Sequence, residues 1–153
     1  MTEELRLAYE SAAALAGDVD GIAPVGETFM RAVLDGVATR NFYASDALTD
    51  GKIDLWFDDG FHPSTYGSYL SALTLFGTLT GLNPAMFGAD EFAAFDLGIS
   101  AADAVALQRL AALTLGYEVP EPGVLALLGI GLAGLAASRR RKTRSATTDL
   151  RPA

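Results

Sequence analysis

The 153-residue chain has no cysteine and a single histidine, His62. Without cysteine there is no disulfide scaffold, no thiolate zinc site and no cysteine nucleophile. One imidazole also excludes His-rich metal centres, and neither a metal nor any other cofactor is expected. Basic residues are scarce over most of the chain. Residues 1–138 hold five (Arg6, Arg31, Arg40, Lys52 and Arg109) against 18 Asp and Glu, a net charge of −13. So acidic a body repels phosphates, which argues against nucleic acid as a partner. The length suits one ordinary domain and is too short for two independent cores.

The last residues reverse the pattern. Residues 139–153 carry six basic side chains against Asp149, a net of +5. Immediately before them, residues 123–138 (GVLALLGIGLAGLAAS) contain no charge at all. As a helix this run would reach about 24 Å at ~1.5 Å per residue. Val119 and the long stems of Arg139 and Arg140 extend it toward a hydrocarbon core of ~30 Å. A buried core helix of this length is the alternative. Such a helix normally keeps a polar face, whereas this run is apolar all round and bracketed by prolines and arginines. A transmembrane helix over 123–138 is therefore expected. The cluster Arg139-Arg140-Arg141-Lys142 should stay cytoplasmic, which places residues 1–118 on the opposite, envelope side.

Val119-Pro120-Glu121-Pro122, an apolar run and an arginine cluster, in that order, closely resemble the PEP-CTERM sorting signal of Gram-negative envelope proteins. The resemblance covers residues 119–142, and its three-part order makes it specific. It implies that an exosortase, a membrane transpeptidase-like enzyme, processes the chain near Pro-Glu-Pro. It also implies a protein anchored in membrane lipid by its C-terminal helix and then released to the surface. Eleven further residues, 143–153, are expected to form a basic disordered tail.

The body reads as helices joined by turns. Residues 2–16 form a helix with Thr2 as N-cap and Glu3 and Glu4 in its first turn, ended by Gly17. Ile22-Ala23-Pro24-Val25 reads as a short strand stopping at Gly26. Residues 27–37 form a second helix, presenting Phe29, Met30, Val33 and Leu34. Residues 38–61 are loop-rich, and their aspartates lack the spacing of a calcium loop, so a solvated acidic loop is expected. Ser64 caps a third helix running to about Thr80, broken by Gly81-Leu82-Asn83-Pro84. Within it Tyr66, Tyr69, Leu70 and Leu73 share a face and read as core. Ser100-Ala101-Ala102-Asp103 begins a fourth helix reaching Leu115, closed by Gly116. The chain as it stands is mainly α with one short strand. Helix, short strand, helix is also the pattern of the last βα unit of a parallel sheet.

The one histidine lies in Asp58-Asp59-Gly60-Phe61-His62-Pro63-Ser64. In a tight turn, Asp-x-x-His lets the Asp59 carboxylate accept a hydrogen bond from one imidazole nitrogen. The carboxylate then fixes the tautomer and leaves the other nitrogen free as a general base. A solvated loop pair is the plain alternative, since the chain has twelve aspartates.

The stretch FDDGFHPSTYGSYLSALTLFGTLTG closely resembles the last block of SGNH/GDSL-type hydrolases. The likeness extends over roughly residues 1–117 and is specific around 57–81. It implies a three-layer α/β/α, flavodoxin-like domain, with His62 as general base and Asp59 as its orienting carboxylate. It also implies hydrolysis of ester or acetyl groups, with an ester-bearing envelope component or polysaccharide as substrate class.

Two elements of that family are missing. No Gly-Asp-Ser block supplies a serine nucleophile, and no Gly-x-Asn-Asp completes an oxyanion hole. Those two terms carry most of acyl-transfer catalysis, so the chain alone is expected to be inactive. The start, Met-Thr-Glu-Glu, is not a basic, apolar export leader. Together with the lone strand, these absences read as the C-terminal portion of a longer exported esterase. The alternative is a non-catalytic PEP-CTERM envelope or surface protein that keeps the Asp-His turn only as structure.

Overall fold

A computed structural model describes residues 2–41, 43–47, 49–118, 130, 132 and 133. The chain divides into two compact units, Met1–Val119 and Pro120–Ala153. All the elements that follow belong to the first. They are α1 (Thr2–Ala16), α2 (Val25–Leu34), α3 (Thr65–Thr80), a 3₁₀ turn (Pro84–Met86), α4 (Phe92–Asp96) and α5 (Ala101–Thr114).

The capping chemistry expected at α3 and α5 is present. Ser64 Oγ accepts from the Gly67 amide, and Ser100 Oγ accepts from the Asp103 amide. Ser100 also donates to the Asp103 carboxylate at 2.7 Å, completing a reciprocal cap. Gly81 ends α3 in the left-handed region at φ 68°, where a side chain would be strained. α4 and the 3₁₀ turn are too short to show helical periodicity. Each is nucleated by one acceptor side chain: Asn83 Oδ1 takes the Ala85 amide, and Glu91 takes the amides of Ala93 and Ala94.

The expected strand over 22–25 is not formed. Among the described residues there is no sheet, only isolated bridges between Ala38 and Ile53 (parallel) and Trp56 and Pro63 (antiparallel). Ile22 and Ala23 meet no neighbouring strand, and an unpaired strand leaves its amides and carbonyls without partners. Val25 instead opens α2, where the Pro24 carbonyl accepts from the amide and hydroxyl of Thr28. α2 also ends earlier than expected. Gly36 at φ 74° turns the chain so that Val37 and Ala38 donate back to the Ala32 carbonyl. Residues 37–39 then run beside Ile53, which accepts from the Thr39 amide and donates to Val37.

α3 and α5 pack on each other and on α2 around a core of Leu55, Tyr69, Leu70, Leu73, Leu107, Leu110 and Ala111. Tyr69, Leu70 and Leu73 are buried as their spacing predicts, with Tyr66 partly buried beside them. Phe29 meets Trp56 edge-on, with ring centroids 5.4 Å apart. α1 buries none of its residues and contacts the rest through α2.

Among the described residues, no helix is long and apolar enough to cross a membrane. The span expected over 123–138 lies outside them apart from three positions. Val119, Pro120, Glu121, Pro122, the cluster Arg139, Arg140, Arg141 and Lys142, and the 143–153 tail also lie outside the described residues.

Candidate functional site

The segment leading to His62 is anchored from below. Ile53 and Leu55 are buried in the core, and the Leu55 carbonyl accepts from the Ser64 amide at 2.9 Å. Ser64 Oγ donates to the Asp54 carbonyl at 2.6 Å, which fastens the start of α3 to the 53–56 segment. Gly67 lets the two approach. A β-carbon there would collide with the Leu55 carbonyl oxygen and press on Pro63.

Between these anchors the chain makes one closed turn. Phe57 donates to the His62 carbonyl at 2.8 Å, and Gly60 donates to the Phe57 carbonyl at 2.8 Å. Gly60 itself has φ 68°, a conformation that favours glycine. Asp59 Oδ1 accepts from the amides of Phe61 (2.9 Å) and His62 (3.0 Å). Its second oxygen, Oδ2, lies 2.6 Å from His62 Nδ1.

The structure therefore brings the Asp-x-x-His pair together. A carboxylate acceptor assigns the proton to Nδ1, leaving the Nε2 lone pair outward. The His62 side chain is 76% exposed. Ser64 is occupied as a cap, and Ser71 donates to the Gly67 carbonyl. Phe57 and Phe61 flank the turn with exposed rings.

The hydrogen bond from the His62 ring, then those from the His62 and Phe61 amides, lower the Asp59 carboxyl from 3.8 to about 2. A depressed carboxyl contributes stability above its unfolded value and loses it as pH falls through the folded value. The Asp59 carboxyl resonance should accordingly titrate near pH 2 by NMR. In His62→Ala the midpoint should rise toward 3.8, and an unchanged midpoint would mean that the two side chains do not meet in solution.

Two other aspartates of the acidic loop serve as local acceptors. Asp50 takes the Lys52 amide and the Thr39 hydroxyl, and Asp54 takes the Trp56 amide. Among the described residues no group of three or more acidic or His side chains is placed to hold a metal ion. A separate open cleft is lined by Thr2, Glu3, Arg6, Glu27, Arg31 and Asp35. Its cations are already engaged, Arg6 with Glu10 and Glu27, and Arg31 with the Thr114 hydroxyl.

A buried polar chain escaped the reading of the sequence. Gln108 Nε2 donates to the Tyr69 hydroxyl (3.0 Å) and the Gly88 carbonyl (2.9 Å), and Tyr69 donates to Glu91 (3.1 Å). Burial pushes the Tyr69 phenol up to about 12, and Glu91 acts in the same direction against the Gln108 bond. The network ties α5, α3 and the cap of α4 together. Its one sequence signal is Gln108, a polar residue one position after Leu107 and four after Ala104 on the face that α5 buries.

No curated protein and no solved structure matches the chain. The family model of the PEP-CTERM protein-sorting motif does match, over residues 118–142. The chain thus carries a PEP-CTERM sorting motif at the C-terminal end of a helical body that presents an Asp59–His62 pair.

Proposed function

We propose that this is an exported envelope protein, sorted by an exosortase, whose body carries the base-and-carboxylate half of an SGNH/GDSL-type ester hydrolase. The sorting half of the reading rests on the motif at 118–142. The chemical half rests on one observation, the 2.6 Å contact between Asp59 and His62 in a turn closed by backbone hydrogen bonds. In such an arrangement Asp59 orients the imidazole and stabilises its protonated form, while Nε2 takes a proton from an attacking hydroxyl. Ester or acetyl groups of an envelope component are the substrate class. Membrane lipid holds the apolar segment 123–138, and Arg139, Arg140, Arg141 and Lys142 hold its cytoplasmic end.

The half-site lacks a nucleophile and an oxyanion hole, so the chain by itself should not turn over esters. Purified protein is therefore expected to hydrolyse an aryl acetate no faster than an equal concentration of free imidazole. Turnover well above that rate that disappears in His62→Ala would overturn this, because it would require a nucleophile in the chain besides the exposed imidazole. The exposure of His62 favours a second reading, a non-catalytic envelope protein in which the pair only rigidifies its turn. Translating the DNA upstream of the Met1 codon in all frames separates the two. A Gly-Asp-Ser block there supports the hydrolase; its absence supports the non-catalytic protein.

A further inference from the structure

We propose that the fold selects Asp20, among four Asp-Gly steps in the chain, as a site of spontaneous isoaspartate formation. There the Gly21 nitrogen attacks the Asp20 side chain, and the backbone is rerouted through the β-carboxyl. The reaction requires neither the sorting motif nor the Asp59–His62 pair.

The four steps are Asp20-Gly21, Asp35-Gly36, Asp50-Gly51 and Asp59-Gly60. Glycine after aspartate favours ring closure, because it has no β-carbon to shield its nitrogen or restrict its backbone. The nitrogen bonds to the aspartate Cγ, and its proton leaves with the carboxyl hydroxyl as water. A five-membered succinimide results. Water then adds to either ring carbonyl and breaks that carbon's bond to nitrogen. Opening at the side-chain carbonyl restores aspartate, whereas opening at the main-chain carbonyl gives isoaspartate. One water leaves and one enters, so neither an oxidant nor a further reactant is needed.

Three of the four steps are held against this closure. Both oxygens of Asp59 accept hydrogen bonds, from His62 and Phe61, and the Gly60 amide donates to the Phe57 carbonyl. Those bonds also keep the carboxyl ionised, whereas closure proceeds from the neutral acid. Asp50 accepts from the Lys52 amide and the Thr39 hydroxyl. Asp35 ends α2 with its own amide bonded to the Arg31 carbonyl, and the Gly36 amide donates to Val33. Closure at any of these must first break such bonds, so its rate falls with the local opening equilibrium.

Asp20-Gly21 has no such restraint. Both residues are exposed in the link between α1 and α2, outside any regular element. Among the described residues, neither the Asp20 carboxyl nor the Gly21 amide has a hydrogen-bond partner. A β-carbon on Gly21 would meet nothing within 4 Å, which leaves room for the nitrogen to turn over the side chain. Isoaspartate adds a methylene to the main chain. Because α1 buries none of its residues, no core packing at that end of the link resists the insertion.

The test uses the full-length chain in mild detergent at mildly acidic pH, in water enriched in oxygen-18. One sample is folded and a second is unfolded in urea. Each passage through the succinimide leaves one oxygen-18 on the residue, and peptide mass spectrometry after digestion in ordinary water locates it. The folded chain is expected to take up label at Asp20 several-fold faster than at Asp35, Asp50 or Asp59. In urea all four should take it up at comparable rates. The Asp20 peptide should also separate into two forms of equal mass, one of them resistant to an aspartate-specific endoprotease. Gly21→Ala, whose methyl enters open space, should keep the parent's melting temperature and lose most of the uptake at Asp20. Equal uptake at all four steps of the folded chain, or faster uptake at another, would overturn the proposal. The same preference for Asp20 in urea would also overturn it, because neighbouring residues and not the fold would then make the selection. Uptake at Asp20 undiminished in Gly21→Ala would exclude the Gly21 nitrogen as the attacking atom.

Discussion

Gly67→Ala is expected to destabilise the body by about 3 kcal/mol, the upper end of what overpacking usually costs. Three glycines lie within the described helices α2 and α3, and their surroundings differ. A methyl at Gly67 meets the Leu55 carbonyl oxygen, a backbone atom already fixed by the Ser64 amide. Relief requires α3 to lift from the 53–56 segment, which strains the cap and the turn holding His62. A methyl at Gly77 meets mainly the tip of Leu115, a side chain that can rotate, and should cost only about 1 kcal/mol. At Gly26 the nearest atom is Thr2 Cγ2 at 3.6 Å, ordinary contact, so alanine there should gain ~0.5 kcal/mol from its better helix propensity. At roughly 4 °C per kcal/mol, Gly67→Ala should melt about 12 °C below the parent. Thermal unfolding followed through Trp56, the only tryptophan, reports the order directly. Equal melting temperatures for the Gly67 and Gly26 variants would mean that α3 is not seated on Leu55.

The same contrast separates what was legible in the sequence from what was not. Ser64 and Ser100 announce their helices because a cap bonds to an amide three residues ahead. Asp59 and His62 were legible for a similar reason, since the whole turn closes within six residues. The lone strand at 22–25 was misread because apolar and β-branched residues favour extended chain only where another strand pairs with it. The end of α2 is set locally by Gly36, whose positive φ lets Val37 and Ala38 donate back to Ala32, whereas the pairing of residues 37–39 with Ile53 is a contact that no local pattern encodes. The Gln108–Tyr69–Glu91 chain joins residues 39 and 22 apart in sequence, and Glu91 as a cap falls outside the usual set of small polar residues.

Replacing Pro120, Glu121 and Pro122 together by alanine should abolish C-terminal processing. The prolines have no amide hydrogen, hold φ near −65° and disfavour helix in the residues before them. A proline-flanked glutamate is therefore a poor helix former and a distinctive stretch for an enzyme to read. Three alanines, the strongest helix formers, would remove both constraints. Glu121, the one charge between Glu118 and Arg139, would be lost as well. In cells that carry an exosortase, the variant is expected to keep residues 139–153 while the parent loses them. A variant processed as fully as the parent would mean that Pro-Glu-Pro is not what the enzyme reads.

Sorting is central because it sets the compartment in which the Asp59–His62 turn is found. The direct measurement is the intact mass of the protein recovered from envelopes of matched cells with and without an exosortase. With the enzyme, the chain should end near Pro120-Glu121-Pro122 and lack the basic tail. Without it, the chain should run to Ala153 and stay in the membrane fraction. An identical full-length mass in both strains would contradict the central claim.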